Sequence, residues 1–369
     1  MRLLEHQAKD LFAGYGIRLL EGRVCPTIEG AREAARELGY PLVIKSQVPV
    51  GGRGKAGGIQ KCASADELEL KFPQVLGMTI KGERTRTVLL EKAAEISSEL
   101  YVAIMLNRGR RTYTVIASSE GGVEIESVKG QTIRDVGLGG ADAATCAEVA
   151  SAIGLGGEAA ASFASTLASL SSLAMEKEAE LAEINPLAVL ADGSMVALDG
   201  KVITDDNSAF RHEELQKYRE ASELEDRAAA RGFSLVEMDG DVAVVGNGAG
   251  LVLSTFDMLT DSGGRPSCLL DAGGGATVES VYEAMELIGK MRRTRAILVN
   301  LYGGIVRTTT VATALLKAYG DGTINVPTFA RLKGAESEKA REMLDGSRVE
   351  MFGTVEEAIG AAVKGARKR

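Results

Sequence analysis

Histidine, tryptophan and paired cysteines are scarce in this chain. Of its 369 residues two are histidines, His6 and His212, none is tryptophan, and aromatic residues make up 4%. The four cysteines are scattered, with no Cys-x-x-Cys pair, so neither a zinc site nor a redox motif is indicated. We expect them to be buried free thiols. We expect His6 at a packing or helix-surface position and His212 at the surface, so no catalytic histidine is predicted on this chain.

Long apolar runs and excess positive charge are also absent. No run of about 18 uncharged apolar residues exists, so no membrane span is expected. The net charge of −8 argues against a large nucleic-acid footprint, because phosphate backbones select for basic surfaces. The N-terminal residues lack the apolar core of a signal peptide, and a cytoplasmic location is therefore expected.

The two halves of the chain follow different patterns. From residue 241 onward, short apolar runs at 242–245, 267–270, 296–301, 326–330 and 350–352 alternate with helical stretches. This alternation is typical of a doubly wound parallel sheet in an α/β protein. The highly charged segment 214–230 is predicted to be a connecting helix. The sequence thus predicts two domains, 1–231 and 232–369.

A glycine-rich loop in the first half indicates a phosphate site. Residues 51–58 contain five glycines, and the loop follows Lys45 at the end of an apolar run. Glycine permits close backbone approach to a ligand, and successive N–H groups bind anions. We therefore predict that Lys45, Gly52, Arg53 and Gly54 bind phosphate. The loop is not a Walker A motif, since Gly-x-x-x-x-Gly-Lys-Ser/Thr is absent.

Two glutamates lie near the next strands. Glu91 ends an apolar run, where a carboxylate could accept hydrogen bonds from ribose hydroxyls or an adenine amino group. A strand-end charge without a ligand explains Glu91 equally well. Glu99 flanks the same strand–loop–strand junction.

Three oxygen-bearing side chains belong to a predicted hairpin whose turn is Ala191-Asp192-Gly193. Glu183 and Asn185 are two residues apart on one strand and should share a face, while Asp199 lies on the partner strand. Oxygen ligands of this kind suit Mg²⁺, and burying them without a partner would be costly. A magnesium site is therefore predicted.

The second half carries further glycine loops at predicted strand ends. Gly246-Asn247-Gly248-Ala249-Gly250 is close to a dinucleotide fingerprint but departs from it, because position 251 is leucine and the third glycine is displaced. Gly303 and Gly304 precede a predicted helix at 311–318, whose N-terminus can hold phosphate or carboxylate.

These motifs together make the chain resemble the β subunits of succinate–CoA ligase (succinyl-CoA synthetase) from end to end. The matching segments are Glu5 with Gln7-Ala8-Lys9, 51–58, 120–126, 183–187, 198–201, 247–250, 271–277, Val299-Asn300 and 303–307. The chain departs from the family's usual pattern at Val48-Pro49-Val50 and at Thr308-Thr309.

The resemblance implies an ATP-grasp fold followed by a flavodoxin-like CoA-ligase domain. It also implies a reversible reaction of the tricarboxylic acid cycle, in which succinyl-CoA, ADP or GDP, and phosphate yield succinate, CoA and the nucleoside triphosphate. The catalytic phosphohistidine would belong to an α subunit, in an αβ or α₂β₂ assembly. By residue, the family's nucleotide site corresponds to Lys45, Gly52, Arg53, Gly54, Glu91, Ala94 and Glu99. Its Mg²⁺ site corresponds to Asn185 and Asp199 with Glu183 nearby, and its substrate site to Asn247, Gly304, Ile305 and Val306.

Three other functions remain open from the sequence. A related acyl-CoA ligase, such as a malate–CoA ligase, would share these motifs. A self-contained ATP-grasp ligase joining an acid to an amine is disfavoured by the glycine-looped parallel sheet. A purely structural subunit is disfavoured by the clustered Glu183, Asn185 and Asp199.

Overall fold

The computed structural model describes residues 1–123, 125, 128, 130–219, 222–273, 275, 277–303 and 307–367. The chain forms two compact units, Met1–Arg219 and Glu220–Arg369. Within the described residues, no helix combines the length and the apolar character needed to cross a bilayer.

Among its described residues, the first unit contains five α-helices and twelve strands. The helices are α1 (Glu5–Gly14), α2 (Ile28–Leu38), α3 (Ala65–Val75), α4 (Ala143–Ala152) and α5 (Gly157–Glu176). The strands are β1 (Gly22–Cys25), β2 (Leu42–Ser46), β3 (Ile59–Cys62), β4 (Thr79–Ile80), β5 (Glu83–Arg84), β6 (Val88–Lys92), β7 (Ile96–Asn107), β8 (Thr112–Ser118), β9 (Thr132–Gly137), β10 (Ala179–Leu190), β11 (Met195–Ala197) and β12 (Gly200–Thr204). Two short 3₁₀ helices, Asp206–Arg211 and Glu213–Tyr218, follow.

A four-stranded antiparallel sheet with the order β1-β6-β2-β3 forms one layer of this unit. Helices α2 and α3 cover one face, where Leu42, Ile44 and Leu90 join a buried cluster with helix residues such as Ala31 and Phe72. Successive side chains of a strand alternate between faces. Residues of β2 and β6 between these apolar positions therefore point to the opposite face.

The larger sheet of the first unit has the strand order β11-β10-β7-β8-β9, and β12 also pairs with β10. Helices α1, α4 and α5 contribute Phe12, Val149 and Leu167 to its core. The predicted hairpin with its Asp192-Gly193 turn is present, since β10 and β11 pair in antiparallel fashion. Gly193 takes the positive φ of 79° that such a turn requires. The placement of Asp199 on the partner strand is wrong, because β11 ends at Ala197 and Asp199 lies in the bend before β12.

The second unit is a doubly wound sheet. Its helices are α6 (Glu223–Ala229), α7 (Ala249–Asp261), α8 (Val278–Gly289), α9 (Thr308–Gly320), α10 (Ser337–Leu344) and α11 (Val355–Arg367). Its strands are β13 (Ser234–Glu237), β14 (Val242–Gly246), β15 (Pro266–Asp271), β16 (Ala296–Gly303), β17 (Thr328–Gly334) and β18 (Val349–Met351).

The strand order β13-β15-β14-β16-β17-β18 is parallel except for the antiparallel edge strand β13. Without β13, this is the flavodoxin-like order 2-1-3-4-5. Along β14, Ala243 and Val245 pack on one face and Val242 and Val244 on the other, in two separate buried clusters. The predicted flavodoxin-like parallel sheet is therefore confirmed.

The prediction of one helix over 214–230 is wrong. Arg219 has extended backbone angles, and α6 starts only after Ser222. The Ser222 hydroxyl accepts from Glu225 N at 3.0 Å, and the Glu225 carboxylate accepts from Ser222 N at 3.1 Å. This capping box begins a new helix, because it satisfies N–H groups that a continuous helix would have bonded internally. The domain boundary at residue 231 stays a prediction.

Candidate functional site

Lys45 and Glu91 extend from the same face of the four-stranded sheet. Val43 pairs directly with Glu91, and Lys45 lies two residues further along β2, so all three side chains share a face. This face is opposite to the one that packs on α2 and α3. It is covered instead by Glu5 and Lys9 of α1, which contact these two side chains.

The ammonium group of Lys45 is fully engaged. Its Nζ lies 3.1 Å from Glu5 Oε1, 2.6 Å from Glu91 Oε2 and 2.6 Å from the Leu198 carbonyl oxygen. A lysine has three N–H donors, so each is used. Burial alone would lower the pKa of Lys45, but the carboxylates of Glu5 and Glu91 raise it above its ordinary value. Lys45 is therefore held as a cation.

Arg53 connects the glycine loop to the predicted metal ligand. Its Nη1 donates to Glu5 Oε2 at 2.6 Å and to the Ser46 carbonyl at 2.8 Å, and its Nη2 donates to Asp199 Oδ2 at 2.6 Å. The Asp199 side chain keeps 31% of its surface exposed. The surrounding protein and the Glu5 carboxylate raise the pKa of Asp199 even though Arg53 opposes them.

These contacts define a set of six acidic and basic side chains that we call the charge cluster. Its three carboxylates and three cations alternate in space. The members are Glu5, Lys9, Lys45, Arg53, Glu91 and Asp199.

The glycine loop 51–58 folds against the short β4–β5 hairpin. A Cβ on Gly58 would lie 2.5 Å from Ser46 Oγ and 2.7 Å from Ile80 Cδ1, so only glycine fits there without displacing a neighbour. Gly52 has a φ of 84°, and the Lys81 ammonium lies 3.5 Å from the position of its absent Cβ. Gly52 and Gly54 are exposed. The loop thus presents accessible backbone beside the buried cations.

The remaining predicted nucleotide residues lie along β6, β7 and the turn between them. Both carboxylate oxygens of Glu91 are already bonded, Oε1 to Lys9 and Oε2 to Lys45. Ala94 is half-buried in the turn. The Glu99 carboxylate packs directly over Gly122, which has a φ of 72° and no room for a Cβ. The structure therefore brings Glu91 to Lys45. Glu99 instead contacts Gly121 and Gly122.

The three predicted metal ligands are only partly brought together. Asn185 N donates to the Asp199 carbonyl at 3.3 Å, so these two residues are neighbours. The Asn185 side chain accepts from Gly122 N at 2.8 Å and donates to the Val123 carbonyl at 3.0 Å. Glu183 instead accepts from the Tyr101 hydroxyl at 3.0 Å. Among the described residues, no three His, Cys, Asp or Glu side chains form a metal-holding group.

A β-bulge explains why the two-residue spacing of Glu183 and Asn185 is a weak guide. The register of β10 against β7 shifts between Ile184 and Leu187, and Asn185 lies inside that shift. An irregularity of this kind re-aims side chains, so strict alternation does not apply across it.

In the second unit, the carboxyl ends of β14, β15 and β16 meet at one edge. Asn247 Nδ2 donates to the Tyr302 carbonyl at 2.9 Å, and Asn247 Oδ1 accepts from Tyr302 N at 3.0 Å. Asp271 Oδ1 accepts from Gly248 N and Gly273 N at 2.7 and 2.8 Å. Asn247 therefore ties two strand ends together. The predicted substrate residues Gly304, Ile305 and Val306 lie outside the described residues.

Helix α9 starts at Thr308, three residues before the predicted start at 311. The Thr308 hydroxyl donates to the Ala335 carbonyl at 2.8 Å, which fixes this first turn against the next strand's end. The correction moves the helix N-terminus directly to the end of the predicted substrate loop.

The histidines and cysteines lie away from open surfaces. The surface position predicted for His212 is wrong, because the residue is 9% exposed and its Nε2 lies 2.9 Å from Glu178 Oε2. His6 is half-buried, with Nδ1 3.0 Å from Gln47 Oε1. The prediction of buried free thiols is confirmed for all four cysteines.

Glu5, Lys9 and Gln47 were not predicted as site residues. Glu5 and Lys9 are separated by one helical turn and share a face of α1, which is a visible but common pattern. The burial of Glu5 and Lys9 depends on strands whose contacting residues lie 40 and 82 positions later in the chain. Only the opposite charges at i and i+4 in an otherwise apolar helix face could have signalled them.

Comparison with known proteins defines the class of this chain. A family model described as an ATP-grasp domain matches residues 2–189, and one described as CoA-ligase matches residues 245–364. The chain is thus an ATP-grasp unit followed by a CoA-ligase unit, as predicted.

Curated relatives then identify the family. The chain is 39% identical to a succinate–CoA ligase [ADP-forming] subunit β of Rubrobacter xylanophilus, over 98% of this chain and 97% of the relative. It is 40% identical to the Chloroflexus aggregans subunit of the same name (100% and 99% covered) and 37% identical to a [GDP-forming] subunit β of Thermus thermophilus (98% and 98% covered). The chain belongs to the family of succinate–CoA ligase β subunits.

A solved structure shares the fold. The ATP citrate lyase of Methanothrix soehngenii, in complex with citrate and coenzyme A, matches with a TM-score of 0.75 over 98% of this chain and 99% of that chain. The sequence identity is 17%.

Proposed function

We propose that this chain is the nucleotide-binding half of a two-subunit succinate–CoA ligase. The overall reaction converts succinate, CoA and a nucleoside triphosphate into succinyl-CoA, the diphosphate and phosphate, and it is reversible. Membership of the β-subunit family over nearly the full chain is the observation that carries this proposal. The cytoplasmic location expected from the sequence belongs to the proposal as well.

The first unit would bind the nucleotide. Its polyphosphate would lie along the glycine loop 51–58, whose exposed Gly52 and Gly54 leave backbone accessible. Lys45 and Arg53 would supply positive charge to the phosphate groups. Their ion pairs with Glu5 would keep both side chains charged. Preorganised cations and N–H groups stabilise the charge that builds up on a phosphoryl group in transfer.

Asn185 and Asp199 fit a Mg²⁺ ion. Both present oxygen atoms, the kind of ligand that Mg²⁺ prefers, and it commonly takes only one or two carboxylates from a protein. The Asp199 side chain keeps 31% of its surface exposed, so an ion could reach its carboxylate from solvent. When bound, the ion would offset charge on the phosphate oxygens. Glu183, which accepts a hydrogen bond from Tyr101, would not contact the ion directly.

The phosphoryl group would pass through a histidine of an α subunit. Transfer from the triphosphate would leave the diphosphate and a phosphohistidine, which succinate would attack to form succinyl phosphate and free histidine. The CoA thiol would then displace phosphate. His212 is bonded to Glu178 and His6 to Gln47, which supports an acceptor on another chain. Asn247, Gly304, Ile305 and Val306 would contribute to the acid site.

Radioactive labelling tests this proposal. The chain is incubated with Mg²⁺ and ATP labelled at the γ-phosphate, alone and together with its candidate α partner. We expect an acid-labile, base-stable phosphoprotein only in the mixture, and only on the partner. Label on this chain alone would contradict the proposal and direct attention to His6. A panel of succinate and malate, each with ATP and GTP, then decides the acid and the nucleotide.

A further inference from the structure

A closed ring of buried charges joins α1 to the strands of the proposed nucleotide site. Glu5 Oε1 lies 3.3 Å from Lys9 Nζ, which is bonded to Glu91 Oε1. Glu91 Oε2 lies 2.6 Å from Lys45 Nζ, and Lys45 returns to Glu5 Oε1 at 3.1 Å. Each charge therefore has two neighbours of opposite sign.

Glu5 is the centre of this arrangement. Besides Lys9 and Lys45, it accepts from Arg53 Nη1 at 2.6 Å and from Gln47 Nε2 at 3.1 Å. Its side chain is 1% exposed. Charge-assisted hydrogen bonds are short and directional, so this one carboxylate fixes the positions of two cations at once.

The local sequence places Glu5 there rigidly. Leu4 N donates to Gln7 Oε1 at 2.9 Å at the start of α1. Phe12 lies about two turns further along the same face of α1. Its ring is fully buried against Gly200, where a Cβ would clash with it. Leu3 N, just before α1, donates to the Val202 carbonyl of β12 at 3.0 Å, so the helix is held to the rest of the unit near both ends.

We propose that Glu5 is a positioning residue of the nucleotide site: it holds Lys45 and Arg53 where the polyphosphate binds. This inference rests on the proposed nucleotide binding. Without the Glu5 charge, Arg53 would retain Asp199 and the Ser46 carbonyl as acceptors, and Lys45 would retain Glu91. Both cations would then shift towards those remaining acceptors and lose the position that Glu5 gives them. The loss should fall on phosphate recognition and not on the nucleoside.

Nucleotide binding by the full chain tests this inference. ADP with Mg²⁺ is titrated by calorimetry, and adenosine by NMR, into the unsubstituted chain, Glu5→Gln, Glu5→Asp and the control Asp10→Asn. Asp10 lies on the same helix but is exposed, and its carboxylate accepts from the Tyr218 hydroxyl at 3.1 Å. We expect Glu5→Gln to weaken ADP binding about tenfold or more, which corresponds to about 1.4 kcal/mol. Adenosine binding should stay unchanged.

The variants separate the possible outcomes. Glu5→Asp keeps the charge but withdraws it by one methylene, so its loss of ADP affinity should be smaller than that of Glu5→Gln. If Glu5→Gln does not fold, the ADP-selective loss in Glu5→Asp decides the question. Equal losses for ADP and adenosine, or an unchanged ADP affinity, would overturn the positioning role. Failure of the unsubstituted chain to bind ADP would instead refute the proposed function itself.

Discussion

Replacing Lys9 with methionine removes one cation from the charge cluster while keeping an unbranched apolar side chain of nearly the same length. The Lys9 side chain is 6% exposed, and its ammonium contacts Glu91 and Glu5. In the variant, Glu91 keeps Lys45 at 2.6 Å and Glu5 keeps Lys45 and Arg53 at 3.1 and 2.6 Å. One negative charge of the cluster is then left without its balance.

The structure sets the size of the effect. Breaking a buried ion pair by removing one partner costs about 3–5 kcal/mol, because the other charge stays buried without compensation. Since both carboxylates retain a cation, we expect the lower end, about 3 kcal/mol. For a unit of this size each kcal/mol lowers the Tm by about 2–4 °C, so the Tm should fall by about 6–12 °C.

Urea unfolding followed by far-UV circular dichroism measures this loss, since the chain has no tryptophan to report by fluorescence. Hydrogen exchange should show weaker protection in β2 and β6 and unchanged protection in β14 and β16. Lys71→Met is the matched control: its ammonium contacts Glu67 at 2.7 Å on the surface of α3, and its loss should cost under about 0.5 kcal/mol.

A double-mutant cycle with Glu91→Gln adds a second check. The double variant removes one charge of each sign and keeps the cluster neutral. Its destabilisation should therefore fall short of the sum of the two single variants by about 1 kcal/mol or more. A Lys9→Met variant as stable as Lys71→Met, or a strictly additive cycle, would refute the buried pairing on which this reasoning depends.

Three further predictions concern the loops and one surface pair. Gly58→Ala should cost about 1–3 kcal/mol in thermal unfolding, because its Cβ would press on Ser46 and Ile80 side chains that can yield only partly. Gly121→Ala should cost about 3 kcal/mol or more, since its Cβ would meet backbone atoms of Leu100, which cannot step aside. The hydrogen bond from Arg211, with that of His212, lowers the pKa of Glu178 to about 2. The stability from this lowered pKa is present above the ordinary value of 4.5 and is lost as the pH falls towards 2. The urea unfolding midpoints of the unsubstituted chain and of Glu178→Gln should therefore converge as the pH is lowered.

The second unit was the part most open to prediction from sequence. Parallel strands buried on both faces read as continuous apolar runs, and glycine loops mark their ends. Strand β16, predicted at 296–301, is found at Ala296–Gly303. The edge strand β13 was missed because it has only four residues, Ser-Leu-Val-Glu, and two of them are polar. Such edge strands differ little from loops in sequence.

In the first unit, the site could be predicted only where its residues are neighbours in the sequence. The glycine loop follows Lys45 directly, so the neighbourhood of Lys45 and Arg53 could be read from adjacent residues. The contribution of α1 could not, because Glu5 meets Lys45 and Asp199 meets Arg53 across large sequence separations. The prediction of one helix over 214–230 failed for another reason. A highly charged segment without apolar periodicity does not show whether the chain forms one helix or two.

The balance of charge in the cluster bears on how a nucleotide would enter under the proposed function. The three carboxylates of the charge cluster already offset its three cations, so the cluster has no net positive charge to attract a polyphosphate. Of the three acceptors of Lys45, the Leu198 carbonyl is the only neutral one. Giving up a neutral acceptor costs less than separating a buried ion pair, so this contact should yield first. Since Asp199 follows Leu198 in the chain, a shift there would also move the carboxylate proposed to hold Mg²⁺. The negative charge of the nucleotide and the positive charge of its ion would then be accommodated in one movement of the same short segment.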